Sequence, residues 1–407
     1  MPMPQRRAFA LIARHGVQSL LPMALSVLVS LQVVRGQGAA AWGRFVGVML
    51  VLQLAAHVVG WGNKEQVLRA LARDDAPPRA AVVGNLRARL LALGPLAAVG
   101  AIGYGVADLW QPQTLAAGLL WLLARAVAQS FEAVIAHQQR FLRAALIDGL
   151  AGLALLVGVW QLGVGVPALL ALHAGAEVLR AGGLVMAFPE VRAPVGAAAG
   201  AGPAATEVSL RDVLHAGAPF FLLSAAGMLG SRVDLYCVRA LLPPAEVARY
   251  QVLQSGLLWL QSIAGLLLLP FVRAVYRMGH VQLLRLNVQL IAVGVGVAAV
   301  GVFALAELLE RAYGFEVDGT TRFVGALVVV QMFAQAPAIY ALYKAGRERE
   351  VLGISSAILV GNLALSLALL PRLGVLGALL SSATVGWAAA LWCMARSRSL
   401  SLAEAGR

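Results

Sequence analysis

Leu290-Ile-Ala-Val-Gly-Val-Gly-Val-Ala-Ala-Val-Gly-Val-Phe-Ala-Leu-Ala306 runs without a polar side chain and is bounded by Gln289 on one side and Glu307 on the other. A stretch of this kind, extended to about 20 residues by its flanks, is long enough to cross the hydrocarbon core of a bilayer as a helix. It is not isolated. Apolar residues make up 60% of the 407 positions and charged residues only 13%, where a soluble domain carries about 25% charged. Mean hydropathy is +0.81 over the whole chain, so the excess is not confined to one anchor. A soluble fold is excluded.

Similar stretches recur through the chain. They predict spans at 14–34, 41–61, 85–106, 112–132, 144–163 and 166–188, then at 211–231, 247–270, 287–309, 322–343, 351–370 and 374–395. The reading is an all-α polytopic membrane protein with about 12 transmembrane helices. The first span carries Arg14, His15 and Gln18 and lacks a small-residue cleavage site, so no cleavable signal peptide is expected.

Net charge is +13, and of the 32 basic residues only Lys64 and Lys344 are lysines. Summing them on alternate sides places 22 on the side of the N-terminus and 8 on the other, with Arg125 and Arg180 inside spans. Cytoplasmic flanks are the positive ones, so both termini are expected in the cytoplasm. The basicity then follows from topology, and no nucleic-acid partner is implied. Cys237 and Cys393 are too few and too far apart for a disulfide framework or a Cys-based metal site.

Midway, Pro189-Glu-Val-Arg-Ala-Pro-Val-Gly-Ala-Ala-Ala-Gly-Ala-Gly-Pro203 is small, Pro/Gly-rich and nearly uncharged, the composition of a flexible strap. The expected organisation is an N-terminal lobe over 1–188, a cytoplasmic linker over 189–208 and a C-terminal lobe over 209–407. Arg35 preceding Trp42-Gly43-Arg44-Phe45, and Arg239 preceding Val247-Ala248-Arg249-Tyr250, repeat at an offset of about 205 residues. Six spans per half make such a repeat parallel, an arrangement suited to alternating access by two rocking halves.

Polar residues at helical spacing mark faces turned from lipid. Gln251, Gln254, Ser255, Gln261 and Ser262 form one such stripe, Gln331 and Gln335 another, and Ser355, Asn362 and Ser366 a third. Arg125, Gln129 and Glu132 follow one another at spacings of 4 and 3. An arginine near mid-bilayer costs about 2.5–3.5 kcal/mol. Arg125 and Glu132 could pair through Gln129 or with partners on other helices, while Glu177 and Arg180 at i, i+3 are expected to neutralise each other. Serines are read as glue between helices, and the glutamine stripes as the wall of a wet cavity.

No His-Glu-x-x-His, Cys-x-x-Cys or lysine-bearing phosphate loop is present, and Asp74-Asp75 beside Pro77-Pro78 reads as a solvated turn. The protein is therefore not expected to be an enzyme, and neither cofactor nor metal is expected.

Leu359-Val-Gly361-Asn362-Leu-Ala-Leu-Ser-Leu-Ala-Leu-Leu-Pro371-Arg-Leu-Gly374-Val-Leu-Gly377-Ala378 resembles the eleventh-to-twelfth-helix signature of Wzx-type polysaccharide-unit flippases, within the multidrug/oligosaccharidyl-lipid/polysaccharide exporter (MOP) superfamily. Val233-Asp234, Leu241-Leu242, Tyr250 and Pro270 are similar to the family's seventh-to-eighth-helix pattern, and Gly43-Arg44-Phe45, Gly60-Trp61-Gly62 and Arg69 to that of the first half. The chain departs from the pattern at Ala248 and Arg249. The resemblance implies two six-helix lobes in a MATE-like V around a central cavity. It also implies translocation of a polyprenyl-pyrophosphate oligosaccharide to the outer leaflet of a bacterial inner membrane, for O-antigen, lipopolysaccharide or exopolysaccharide synthesis. A polysaccharide polymerase or chain-length machinery would be its partner. On that resemblance Arg125 would hold phosphate, with Glu132 on the same face. Gln129, Gln251, Gln254 and Gln261 would meet sugar, and Arg35, Arg239 and Arg249 would act near the outer end.

Two other readings stand beside it. A cation-coupled multidrug exporter of the same superfamily would rely on carboxylates inside the lobes, often in the first helix, yet the first acid here is Glu65. A membrane enzyme of glycan assembly would need a sizeable outer loop, and the largest expected here is about 15 residues. Lipid II flippases also resemble the chain but have two helices more.

Overall fold

The computed structural model describes residues 5–61, 67–68, 71, 82–91, 93, 111–162, 165–192, 218, 221–222, 224–268, 275 and 277–405. Among them the chain is helical almost throughout. In order come α1 (Gln5–Gln37), α2 (Ala39–Gly60), α3 (Pro112–Ser130), α4 (Glu132–Gln138), α5 (Phe141–Leu162) and α6 (Val166–Ala187). After a single turn at Pro189–Arg192 follow α7 (Val233–Leu241), α8 (Pro244–Leu268), α9 (His280–Leu308), α10 (Gly319–Lys344), α11 (Glu348–Leu373) and α12 (Val375–Ala405). Ten helices among the described residues are long and apolar enough to cross a membrane, and each overlaps one of the expected spans. The remaining two, 85–106 and 211–231, fall partly on residues outside the described set, as does most of the expected linker. In hydrocarbon every backbone N–H and C=O must be met within the protein, which is why apolar sequence of this length becomes helix.

Where the helices begin and end is written in special residues. Pro112 stands at the start of α3 and Pro167 near that of α6, where the missing N–H is not needed. Gly38 (φ 84) separates α1 from α2, and Gly374 (φ 56, ψ −138) ends α11. That second conformation excludes an ordinary side chain, and α12 starts one residue later. Gly377 lies so close to α11 that an added Cβ would sit 2.6 Å from the Leu369 carbonyl oxygen. The Pro371–Gly377 stretch is thus a tight helix-to-helix return. Beyond α9 the chain widens into a π-helical turn, Leu309–Tyr313, closed by Gly314 (φ 69).

Contacts gather the described residues into two units, one within Arg14–Gln37 and Gly47–Ala225, the other within Met1–Ala13, Gly38–Val46 and Ala226–Arg407. In the first, α6 packs on both α3 and α5, with Phe131 and Phe188 rings 5.9 Å apart in its core. Leu146, Leu150, Leu153, Val157 and Trp160 form an exposed apolar stripe along α5, a face suited to lipid rather than water. In the second unit α10 packs against α9 and α12, α12 against α11, and α7 against α11. α9 exposes Val288, Val293, Val295, Val300 and Phe303, in keeping with the apolar run Leu290–Ala306.

Gly43 shows how close that packing is. A Cβ there would stand 1.7 Å from the Pro244 carbonyl oxygen, and neighbouring Trp42 donates its indole N–H to Gln251 Oε1 at 2.8 Å. Because the obstacle is backbone, it cannot rotate aside. Gly43→Ala should cost about 1–3 kcal/mol by overpacking, seen as a lower thermal midpoint of the detergent-solubilised protein. Gly36→Ala, with nothing within 4 Å, should leave the midpoint unchanged or slightly raised.

Candidate functional site

Each unit encloses a polar cavity. The first lies among α1, α3, α4, α5 and α6, has a volume of about 540 Å³, and is lined by Gln18, Arg125, Glu132, Asp148, His173, Glu177 and Arg180 with apolar neighbours. α3 contributes Arg125, α5 Asp148 and α6 the Glu177/Arg180 pair. Arg180 donates through Nε to Asp148 Oδ1 at 2.6 Å and through Nη1 to Glu177 Oε1 at 2.9 Å. The second bond is the i, i+3 pair expected from sequence. Glu177 Oε1 also receives Arg125 Nη1, at 3.3 Å. His173 Nδ1 lies 3.0 Å from the Leu169 carbonyl oxygen, one turn back. Two carboxylates therefore share two guanidiniums through three ion pairs. Arg180 is held on both sides and is 17% exposed at its side chain, whereas Arg125 makes one longer contact and is 31% exposed. Of the two cations, Arg125 keeps more donors for something else.

The second cavity, about 200 Å³, lies in the other unit among α7, α8, α10, α11 and α12. At its wall is Asp234, 3% exposed. Its Oδ1 accepts from the Leu235 amide and from Gln254 Nε2, each at 2.8 Å. Its Oδ2 accepts from Ser382 Oγ at 2.7 Å and from the Tyr250 hydroxyl. Four donors on two oxygens meet the lone-pair capacity of a carboxylate. Asn362 joins the same group: its Oδ1 accepts from Ser381 Oγ at 2.6 Å and its Nδ2 donates to Ser382 Oγ at 3.4 Å. Ser366 Oγ lies 3.2 Å from Ser381 Oγ. These serines bind α11 to α12, the glue role expected of them. Ser231, Gln261, Gln331, Gln335 and Ser355 complete the polar lining.

The residues singled out from sequence thus fall in several places. Arg125 and Glu132 line the first cavity, and Gln254 and Gln261 the second. Gln129 is turned to Arg89, accepting from its Nη1 at 2.6 Å. Gln251 is tied to Trp42 and, through Nε2, to Ser255 Oγ at 3.0 Å. Arg35 and Arg239 are exposed in the last turns of α1 and α7. Arg249 lines a third hollow with Glu246, Glu316 and Asp318 and donates to the Glu316 carbonyl. Sequence reasoning missed the role of Asp148 and of the Asp234–Tyr250 pair. The second was quoted as a family pattern, but the spacing of 16 along the chain gave no sign of direct contact. Arg89 is 2% exposed and bonded to Asn85.

Arg180→Ala strands Asp148 in a buried setting and leaves Glu177 with the longer Arg125 contact alone, a change of about 3 kcal/mol or more, and should abolish accumulation of folded protein in membranes. Arg125→Ala leaves Glu177 paired with Arg180 and should lower the thermal midpoint by less than about 1 kcal/mol equivalent. Equal losses for the two variants would show that the two arginines have equivalent structural roles.

No family model and no curated protein matches the chain. Among solved structures it is similar to an inward-facing multidrug resistance MATE family transporter of the MOP superfamily, with TM-score 0.62 and 15% identity over 95% of this chain and 98% of that one. It is similar to a Pyrococcus furiosus MOP-superfamily transporter described as having a binding pocket of reverse polarity, with TM-score 0.55 and 12% identity over 97% and 95%. The lipid II flippase MurJ, in an inward closed conformation, matches with TM-score 0.60 and 10% identity over 94% and 87%. At these identities the likeness is one of fold: the chain has the all-helical fold seen in MATE and other MOP-superfamily transporters.

Proposed function

We propose that the protein is a flippase that carries a lipid-linked oligosaccharide, on a polyprenyl pyrophosphate, from the cytoplasmic to the outer leaflet of a bacterial inner membrane. Both termini lie in the cytoplasm, and the product feeds assembly of a surface polysaccharide. The observation that carries the reading is Arg125: a guanidinium with one long contact, facing a polar cavity inside a fold shared with transporters. A guanidinium meets phosphate oxygens through paired, charge-assisted hydrogen bonds. Glu177 has a second partner in Arg180, so an incoming anion can draw Arg125 away without leaving a carboxylate bare. The motifs of the first half and of α7, α8, α11 and α12 support the same family reading. Polymerase or chain-length machinery is the partner that would receive the glycan.

One observation favours a second reading, a cation-coupled exporter. The lining of the first cavity holds three acidic side chains, Glu132, Asp148 and Glu177, against two arginines, and an excess of acidic groups suits a cation. The first helix was where sequence reasoning looked for acids; here they sit on α4, α5 and α6.

The full chain in liposomes should speed the transfer of a fluorescent polyprenyl-pyrophosphoryl glycan between leaflets, followed by its exposure to a membrane-impermeant quencher. Arg125→Ala should slow transfer about tenfold or more, the loss of one hydrogen bond to a charged group, with Arg125→Lys intermediate. Wild-type transfer no faster than protein-free liposomes would end this reading. Efflux of a cationic dye driven by a proton or sodium gradient would establish the second.

A further inference from the structure

The cavity of the second unit holds two buried amide oxygens that no donor among the described residues reaches. Gln254, 6% exposed, turns its Nε2 toward Asp234 Oδ1 at 2.8 Å and the Ser231 carbonyl oxygen at 3.4 Å. Both neighbours are acceptors, so the amide cannot be reversed without setting oxygen against oxygen. Its Oε1 is therefore presented to the other side, where it is buried with no donor among the described residues. Gln331 Oε1 is likewise buried without a donor among them. Its amide occupies space that Gly386 leaves open: a Cβ on Gly386 would stand 2.1 Å from that oxygen. Both side chains line the same cavity.

Unmet buried acceptors disfavour an empty site and favour whatever brings donors to it. The chemistry of the walls narrows what that is. No arginine or lysine is among the described lining residues, and the charged group there is Asp234. Its four donors fill its lone-pair positions, so it offers no vacancy to a ligand, and an incoming carboxylate would meet the two amide oxygens, acceptor against acceptor, with no cation beside them. Gln261 is fixed by its Nε2 on the Val328 carbonyl oxygen at 2.5 Å. The space, about 200 Å³, equals about six or seven waters at their liquid volume, enough for a single small ring.

We propose that this cavity is a subsite for one uncharged, hydroxyl-bearing ring of the glycan, whose hydroxyl groups donate to Gln254 Oε1 and Gln331 Oε1, and that it rejects acidic rings. The proposal rests on the flippase reading above and adds the class of sugar. Gly386 is a specificity-determining position, because the absence of its side chain seats the Gln331 amide.

The test is saturation-transfer NMR on the full chain in nanodiscs, in choline chloride, with methyl glucoside and methyl glucuronide as probes. Methyl glucoside should give a signal about tenfold above that of the glucuronide, the discrimination expected of roughly one mismatched polar contact. Gln331→Leu should remove it. Gly386→Ala should remove it as well while the protein stays folded, because the atoms it displaces are the end of a flexible side chain. Equal signals from the two probes, or an undiminished glucoside signal in both variants, would overturn the proposal. So would loss of the glucoside signal when sodium replaces choline, which would make the acceptors a cation site. Leaflet transfer without glucoside binding would sink the subsite and leave the flippase reading standing, whereas glucoside binding without transfer would sink that reading alone.

Discussion

A carboxylate buried in a helix bundle has to be met by donors or it unfolds its surroundings, and Asp234 is met from four directions. Its own backbone neighbour, α8 through Tyr250 and Gln254, and α12 through Ser382 each supply a hydrogen bond. Because Ser382 is also reached by Asn362, the α11–α12 pair is tied into the same arrangement. The orientation of Gln254, and with it the side on which its oxygen faces, follows from where that carboxylate stands. The polar cavity of this unit is thus shaped by satisfying one charge.

The other unit solves a similar problem with ion pairs. Asp148, Glu177 and Arg180 neutralise one another within reach of Arg125, and pairs of this kind add little net stability once formed, although removing one member is costly. The contrast is chemical: one cavity is walled by charges of both signs, the other by amides and hydroxyls around a satisfied acid. A chain that needed only to be stable in a membrane would keep neither.

Much of the fold was legible. Apolar runs separated by Arg-rich turns gave spans that the helices overlap, and Glu177/Arg180 gave an ion pair from spacing alone. The site was less so. Helical periodicity reports which face of a helix is turned from lipid, but a side chain at a seam and one at a cavity have the same periodicity. Gln251 and Gln254 lie on one stripe, yet the first is taken up by Trp42, 209 residues away in the chain, and the second opens on a cavity. Gln129 shares a face with Arg125 and is claimed by Arg89. Nothing local in the sequence distinguishes these fates, because each is decided by a partner from a distant segment.

The wide turn at Leu309–Tyr313 has a bearing on how the end of α9 is laid out. A π-helical turn accommodates one residue beyond what α geometry would use, so the side chains before and after it are out of phase by about 100° relative to an unbroken helix. Glu310 sits inside that offset and from there receives both Arg322 and, at 3.3 Å, the Val317 amide. Excising a single residue from 309–313 would bring the spiral back into step and swing Glu310 away from both, so the short link into α10 would lose its tether although every neighbouring side chain was kept.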